Sequence, residues 1–232
     1  MFRLPESRHP TLLLTGCLLA ATAGAQVIEI DQAKALAGQI TPGDTPGFPI
    51  TISQAGSYRL TSALTVESVH RGAIRVTAPN VTLDLNGQVI RGGRCGPDRC
   101  QISPPQTVGV QAEYGNFRLF NGTIENFGGM GLVVRGGALL EKLRVQRNGL
   151  EGIDLGGARL SESFVAHNER GGVLAGAGQI TNTMVLQNKG YQVRIAGPFV
   201  QLIGNWLLGD QALDQLYTPP VNRDNLCNGV AC

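Results

Sequence analysis

Four segments between Gly109 and Asn188 follow one pattern: a glycine, an alternating apolar strand, a Gly-rich corner, a second apolar stretch and an asparagine. Gly109-Val110 leads to Asn126, Gly131-Leu132 to Asn148, Gly152-Ile153 to Asn168 and Gly172-Val173 to Asn188. The asparagines are 22, 20 and 20 residues apart, and valines stand three positions before the last three, at Val145, Val165 and Val185. Upstream, Ala73-Ile74-Arg75-Val76 followed by Asn86-Gly87 matches Gly109-Val110-Gln111-Ala112 followed by Asn121-Gly122, and Gln192-Val193-Arg194-Ile195 continues the series.

A unit of this length, made of short β-branched strands and Gly/Asn turns, cannot close a core alone, whereas stacked units can. Each strand then pairs in parallel with its equivalent one turn away, at ~4.8 Å. One predicted inward column is Ile74, Val110, Leu132, Ile153, Val173 and Val193; the next is Val76, Ala112, Val134, Leu155, Ala175 and Ile195. A left-handed hexapeptide helix needs an apolar residue at every sixth position, and leucine-rich repeats need a fixed Leu frame and a helix; neither is present. The expected fold is all-β, a single right-handed parallel β-helix of about seven coils. It covers residues 56–209, with an N-terminal cap segment at 26–55 and a C-terminal cap at 210–232.

Composition agrees. Glycine accounts for 32 of 232 residues, about twice the usual ~7%, without a Gly-X-Y period, which excludes collagen and disfavours long helices. Hydrophobic residues at 42% and charged residues at 16% are too apolar for a disordered chain and not apolar enough for a multispan membrane protein. A formal charge of +2 without basic or acidic blocks supports neither a nucleic-acid partner nor an anionic membrane.

Residues 1–25 read as a secretory signal: Arg3 and Arg8, an apolar stretch from Thr11 to Thr22, and Ala23-Gly24-Ala25 before Gln26. The stretch is too short for a membrane span. The expectation is an exported protein, periplasmic or secreted; the alternative is a lipoprotein anchored at Cys17, since Leu14-Thr15-Gly16-Cys17 resembles a lipobox. The other cysteines form two pairs with four residues between the members, Cys95 with Cys100 and Cys227 with Cys232. Four cysteines allow three connectivities. Local pairing closes short Gly/Asn/Asp/Pro loops, and export favours disulfides over a four-thiolate zinc site.

The stretches Gly43-Asp44-Thr45-Pro46-Gly47-Phe48-Pro49-Ile50-Thr51-Ile52-Ser53, Gly56-Ser57-Tyr58-Arg59-Leu60 and Val81-Thr82-Leu83-Asp84-Leu85-Asn86-Gly87 resemble exported bacterial right-handed β-helix proteins of the pectate-lyase-like superfamily. The resemblance covers residues ~40–210 and implies a fold. It does not imply one activity, because this fold carries lyases, epimerases, hydrolases, adhesins and non-catalytic binders.

Asn126, Asn148, Asn168 and Asn188 are expected to form a structural ladder, since the amide can bond the backbone or the asparagine one coil away. Asp31 to Ala37 is a helix-prone segment suited to capping the first coil. Residues 92–107 break the period and read as a loop pinned by Cys95 and Cys100.

Enzymes of this fold mostly work on the outer face of one strand layer. Here one outward row is Arg75, Gln111, Val133, Asp154, Leu174 and Arg194; the other is Thr77, Glu113, Arg135, Gly156, Gly176 and Ala196. Glu113 and Arg135 are expected side by side, with Asp154 diagonal to Arg135. A polyuronate lyase or epimerase needs a cation to neutralise the uronate carboxylate and a base for the adjacent proton. Arg135, as neutraliser or base, with Glu113 and Asp154 orienting it, is the candidate catalytic set; a surface ion pair is the structural alternative. Arg75, Gln111, Arg194, Tyr114 and Tyr191 are the candidate ligand-binding residues, Tyr114, Tyr191 and Trp206 being the aromatic edges available for stacking on sugar. Phe117, Phe120, Phe164 and Phe199 are expected in the core, and Met130 and Met184 as core filler.

No acidic cluster for calcium appears, and the Asp-Asp and Gly-His-Gly signatures of the polygalacturonase-like hydrolases are missing. His70 and His167 fall several coils apart, which disfavours a His-based metal site or a catalytic triad. The expectation is therefore a monomeric, exported, non-catalytic binder of carbohydrate or another envelope component, without a metal or cofactor. The alternatives are a small polysaccharide lyase or epimerase, with calcium only in the lyase case, and a structural envelope protein.

Overall fold

The computed structural model of the chain describes residues 26–93, 107–216 and 221–232. Parallel pairing one turn apart, in the expected register, organises all of it. The first inward column runs through Ile50, Ile74, Val110, Leu132, Ile153, Val173, Val193 and Leu213. The chain is thus a β-solenoid of about eight turns, one more than the repeat alone suggests, because Ile50–Ile52 and Gln211–Gln215 join the stack at either end.

Two further columns complete the core. One is Tyr58, Leu83, Leu119, Leu140, Leu160, Ile180 and Leu202. The other is Leu64, Ile90, Ile124, Val145, Val165, Val185 and Leu207. Every member of these two is buried. Alternation in each strand sends these side chains inward to meet the same residue type one turn away, and full burial of each is worth about 1.5–3 kcal/mol.

The repeated Gly, Val and Asn turn out to be one contact. A Cβ on Gly152 would stand 2.7 Å from Cγ1 of Val165 and 2.6 Å from Nδ2 of Asn168; on Gly131 it would stand 2.5 Å from Val145 and 2.7 Å from Asn148. Gly172 meets Val185 and Asn188 in the same way. The glycine keeps the period because the valine and asparagine of its own turn fold back over it.

Asn148, Asn168 and Asn188 form the buried ladder, each Oδ1 accepting from the preceding turn. Asn126 does not belong to it. At φ 65° it holds the left-handed corner that Arg147, His167 and Gln187 hold in later turns, and Phe127 takes the ladder position, its backbone N–H donating to Asn148 at 3.1 Å. The ladder stops at Gln192, whose Oε1 accepts from the backbone and side chain of Asn188 (3.0 and 2.8 Å). A second column, absent from the sequence reading, runs through Ser163, Thr183, Asn205 and Asn225: the backbone N–H groups of Leu143, Thr183 and Asn205 donate to the next member at 2.8–3.1 Å.

Pairing continues past both ends of the 56–209 segment. Val27–Ile30 pairs with Gly56–Leu60, followed by a helix at Gln32–Ala37 whose N-cap Asp31 accepts from Lys34 N–H at 2.7 Å. At the other end Leu226–Cys227 pairs with Trp206–Leu208 and turns back on Val230–Ala231, closed by the Cys227–Cys232 disulfide. Residues 1–25 with Cys17, and Cys95 and Cys100 with most of the 92–107 loop, lie outside the described residues. Among the described residues no helix is long and apolar enough to cross a membrane.

Candidate functional site

The outward row on the first column is as expected: Arg75, Gln111, Val133, Asp154, Leu174 and Arg194 stand in register on consecutive turns. Its first four members, together with Arg135, line a groove of about 720 Å³. The rest of the wall comes from the segments leading into the strands. His70, Arg71 and Gly72 precede Ile74, Val108 precedes Val110, and Met130 precedes Leu132. His70 and Arg71 were not singled out from sequence. The usable signal was the register itself, carried two to four residues upstream of each strand.

Charge in the groove is sorted into pairs. Arg135 Nη2 donates to Asp154 Oδ2 at 2.7 Å. It reaches Asp154 by crossing Gly156, its register partner, which has no side chain to obstruct it; a Cβ there would stand 3.0 Å from Arg135 Cδ. Glu113 is not its partner. Glu113 Oε1 accepts from Arg75 Nη2 at 2.7 Å and from Gln111 Nε2 at 3.3 Å, which commits it to the other row. The candidate catalytic set therefore divides into two ion pairs, Arg75–Glu113 and Arg135–Asp154. The hydrogen bond it donates to Asp154 holds the Arg135 guanidinium above its ordinary pKa. That makes Arg135 a fixed cation, suited to neutralising a carboxylate and unsuited to removing a proton. Arg71 donates to the carbonyl of Phe48 at 2.8 Å. Among the described residues the lining holds three arginines and His70 against one carboxylate, Asp154, with Glu113 bound to Arg75 beside it, and Arg75 and Arg135 each keep about half their side-chain surface in solvent.

Beyond Leu155 the second row loses its register. A bulge pairs Gly156 with Ala177 in place of Gly176. Arg194 is bound to Asp214 and stacks on Tyr191, 4.1 Å from the ring centroid, outside the groove. Tyr191 is not an exposed stacking edge. It is 2% exposed, because Gly171 leaves a slot for its ring and its hydroxyl donates to Glu151 at 2.8 Å. Burial, then the bond to Glu151, raise the phenol pKa well above the ordinary tyrosine value.

The other aromatic positions lie outside the groove. Tyr114 is exposed at the end of its strand, and Phe199, expected in the core, is 74% exposed. Phe117 is buried, whereas Phe120 and Phe164 are half-buried under Arg118 and Arg144. Trp206 sits in an outward column with Phe164, Met184 and Leu226. Met130 and Met184 are half-buried surface residues and not core filler. No group of three or more metal-ligating side chains occurs among the described residues.

No protein-family model matches the chain, and neither does any curated protein or solved structure.

Proposed function

We propose that this chain is an exported, non-catalytic binding protein for an acidic polysaccharide of the cell envelope, held along the groove of Arg71, Arg75, Gln111 and Arg135. The observation that carries the reading is a groove of about 720 Å³ on the stacked strands lined by Arg71, Arg75 and Arg135, the last two each half in solvent beside the carboxylates that pair with them. Guanidinium groups bind carboxylates through parallel hydrogen bonds, a uronate polymer presents carboxylates at regular intervals along one direction, and Arg75 and Arg135 stand two turns apart along the groove. The signal-like residues 1–25 support export, and the short stretches that resemble the pectate-lyase-like superfamily support a glycan ligand.

The lyase or epimerase alternative needs a base beside its cation. Arg135 is held charged by Asp154, so in that alternative the base would have to be another group of the lining, His70.

The test is calorimetric titration of residues 26–232 with polygalacturonate and alginate, a neutral glucan serving as control, while absorbance of an unsaturated uronate product is followed. Saturable binding to the acidic polymers, a flat absorbance trace, and a roughly tenfold loss of affinity in Arg75→Ala and Arg135→Ala are expected. Equal affinity for the neutral glucan, or no binding at all, would overturn the proposal; a rising absorbance trace would replace it with the lyase.

A further inference from the structure

The groove stops short of the end of the stack. Its wall column is Gly72, Val108 and Met130, and the next members in register are Glu151, Gly171 and Tyr191. No residue of the turns carrying Gly171 and Tyr191 lines it. The strand row beneath continues unbroken through Leu174 and Arg194, so the floor of the groove runs on past the stop.

The side chain that makes it is Tyr191. Its ring lies back over Gly171, where a Cβ would meet ring carbons at 2.5 Å, and its hydroxyl reaches Glu151 two turns away. Arg194 covers the other side of the ring. Under the ring Glu151 is 1% exposed; Oε1 also forms an ion pair with Arg170 Nε at 3.2 Å, and Oε2 is buried with no hydrogen-bond partner. The ring therefore does two things at one place. It fills the outer face where the trough would otherwise continue, and it screens a carboxylate that would repel an acidic ligand.

We propose that Tyr191 is the end stop of the groove and sets the length of acidic glycan it holds; this rests on the binding function proposed above. Removing the ring alone would extend the trough onto an exposed Glu151. Removing the ring and neutralising that charge extends it onto a surface that accepts further uronates. Gly171→Ala reaches the same end differently, by pushing the ring out of its slot while keeping tyrosine.

The experiment measures affinity against chain length with a graded series of oligogalacturonates, on folded protein verified by its melting curve. In the native chain affinity is expected to rise with length and then level off. In Tyr191→Ala/Glu151→Gln the plateau is expected to move to oligomers longer by at least one sugar, and Gly171→Ala is expected to move it the same way. Tyr191→Phe, which keeps the ring, should leave the plateau in place. Should the double variant fail to fold, Gly171→Ala gives the reading. A plateau unmoved in a folded variant overturns the end stop and leaves the binding function standing. Failure of the native chain to bind any oligomer overturns both.

Discussion

Oδ1 of Asn168 accepts from both the backbone amide and the side-chain amide of Asn148, each at 3.0 Å. Both residues are fully buried, and no water reaches the pair. Asn168→Ala leaves two donors on Asn148 unpaired and removes the side-chain bond to Asn188. The expected loss is about 2–4 kcal/mol, read as a fall in the urea midpoint. Asn126→Gly, at a left-handed corner outside the ladder, should cost no more than about 0.5 kcal/mol.

Gly152→Ala forces a Cβ against Asn168, Val165 and the carbonyl of Gly172, at 2.6, 2.7 and 2.9 Å. Overpacking of this kind costs about 1–3 kcal/mol. At Gly137 a Cβ meets nothing within 4 Å, so Gly137→Ala should leave thermal unfolding unchanged. Equal effects at the two positions would show that the close approach is not what keeps glycine in the repeat.

Arg135→Ala separates binding from stability. Arg135 keeps half its side-chain surface in solvent and Asp154 16%, so the ion pair is worth about 1 kcal/mol. The melting temperature should barely move, while affinity for polygalacturonate falls roughly tenfold and loses part of its salt dependence. A large drop in melting temperature would assign Arg135 to the fold instead.

Alkaline pH tests the buried phenols. Burial raises Tyr58 from its ordinary 10.0, and burial with the Glu151 bond raises Tyr191 further. Above about pH 10 the unfolded chain releases protons that the folded chain keeps, so stability is fully present below that pH and is lost as pH rises. Each tyrosine contributes a slope of at most about 1.4 kcal/mol per pH unit. Tyr191→Phe should reduce the alkaline slope, as measured by urea unfolding between pH 9 and 11.

The core was legible because alternation and period specify it twice over. Ile74, Val110, Leu132, Ile153, Val173 and Val193 could be placed in one column before any coordinate, and they stand there. Asn126 was misplaced because asparagine serves two purposes in this chain. Asn80, Asn86, Asn116, Asn121 and Asn126 hold left-handed corners, whereas Asn148, Asn168 and Asn188 bond across turns, and the letter alone does not separate them. The second column hid for a related reason: Ser163 and Thr183 fill it where Asn205 and Asn225 do later, so no single residue type marks it. Tyr191 was misread because exposure depends on what faces it, and the slot over Gly171 exists only once two turns are stacked. Glu113 and Arg135 lie near one another in the row pattern, but side-chain reach chose Arg75 and Asp154 as their partners.

The asparagine ladder has a direction. Asn148 makes to Asn168 the bonds that Asn168 makes to Asn188, while Gln192 caps the far end from within its own turn. Residues 149–168 are therefore a cassette whose two ends present matching valences. Copied in tandem, the cassette would regenerate the ladder bonds at both junctions and lengthen the molecule by one ~4.8 Å step. A chain of this kind grows or shrinks by whole turns, and its reach along a linear polymer is a countable quantity.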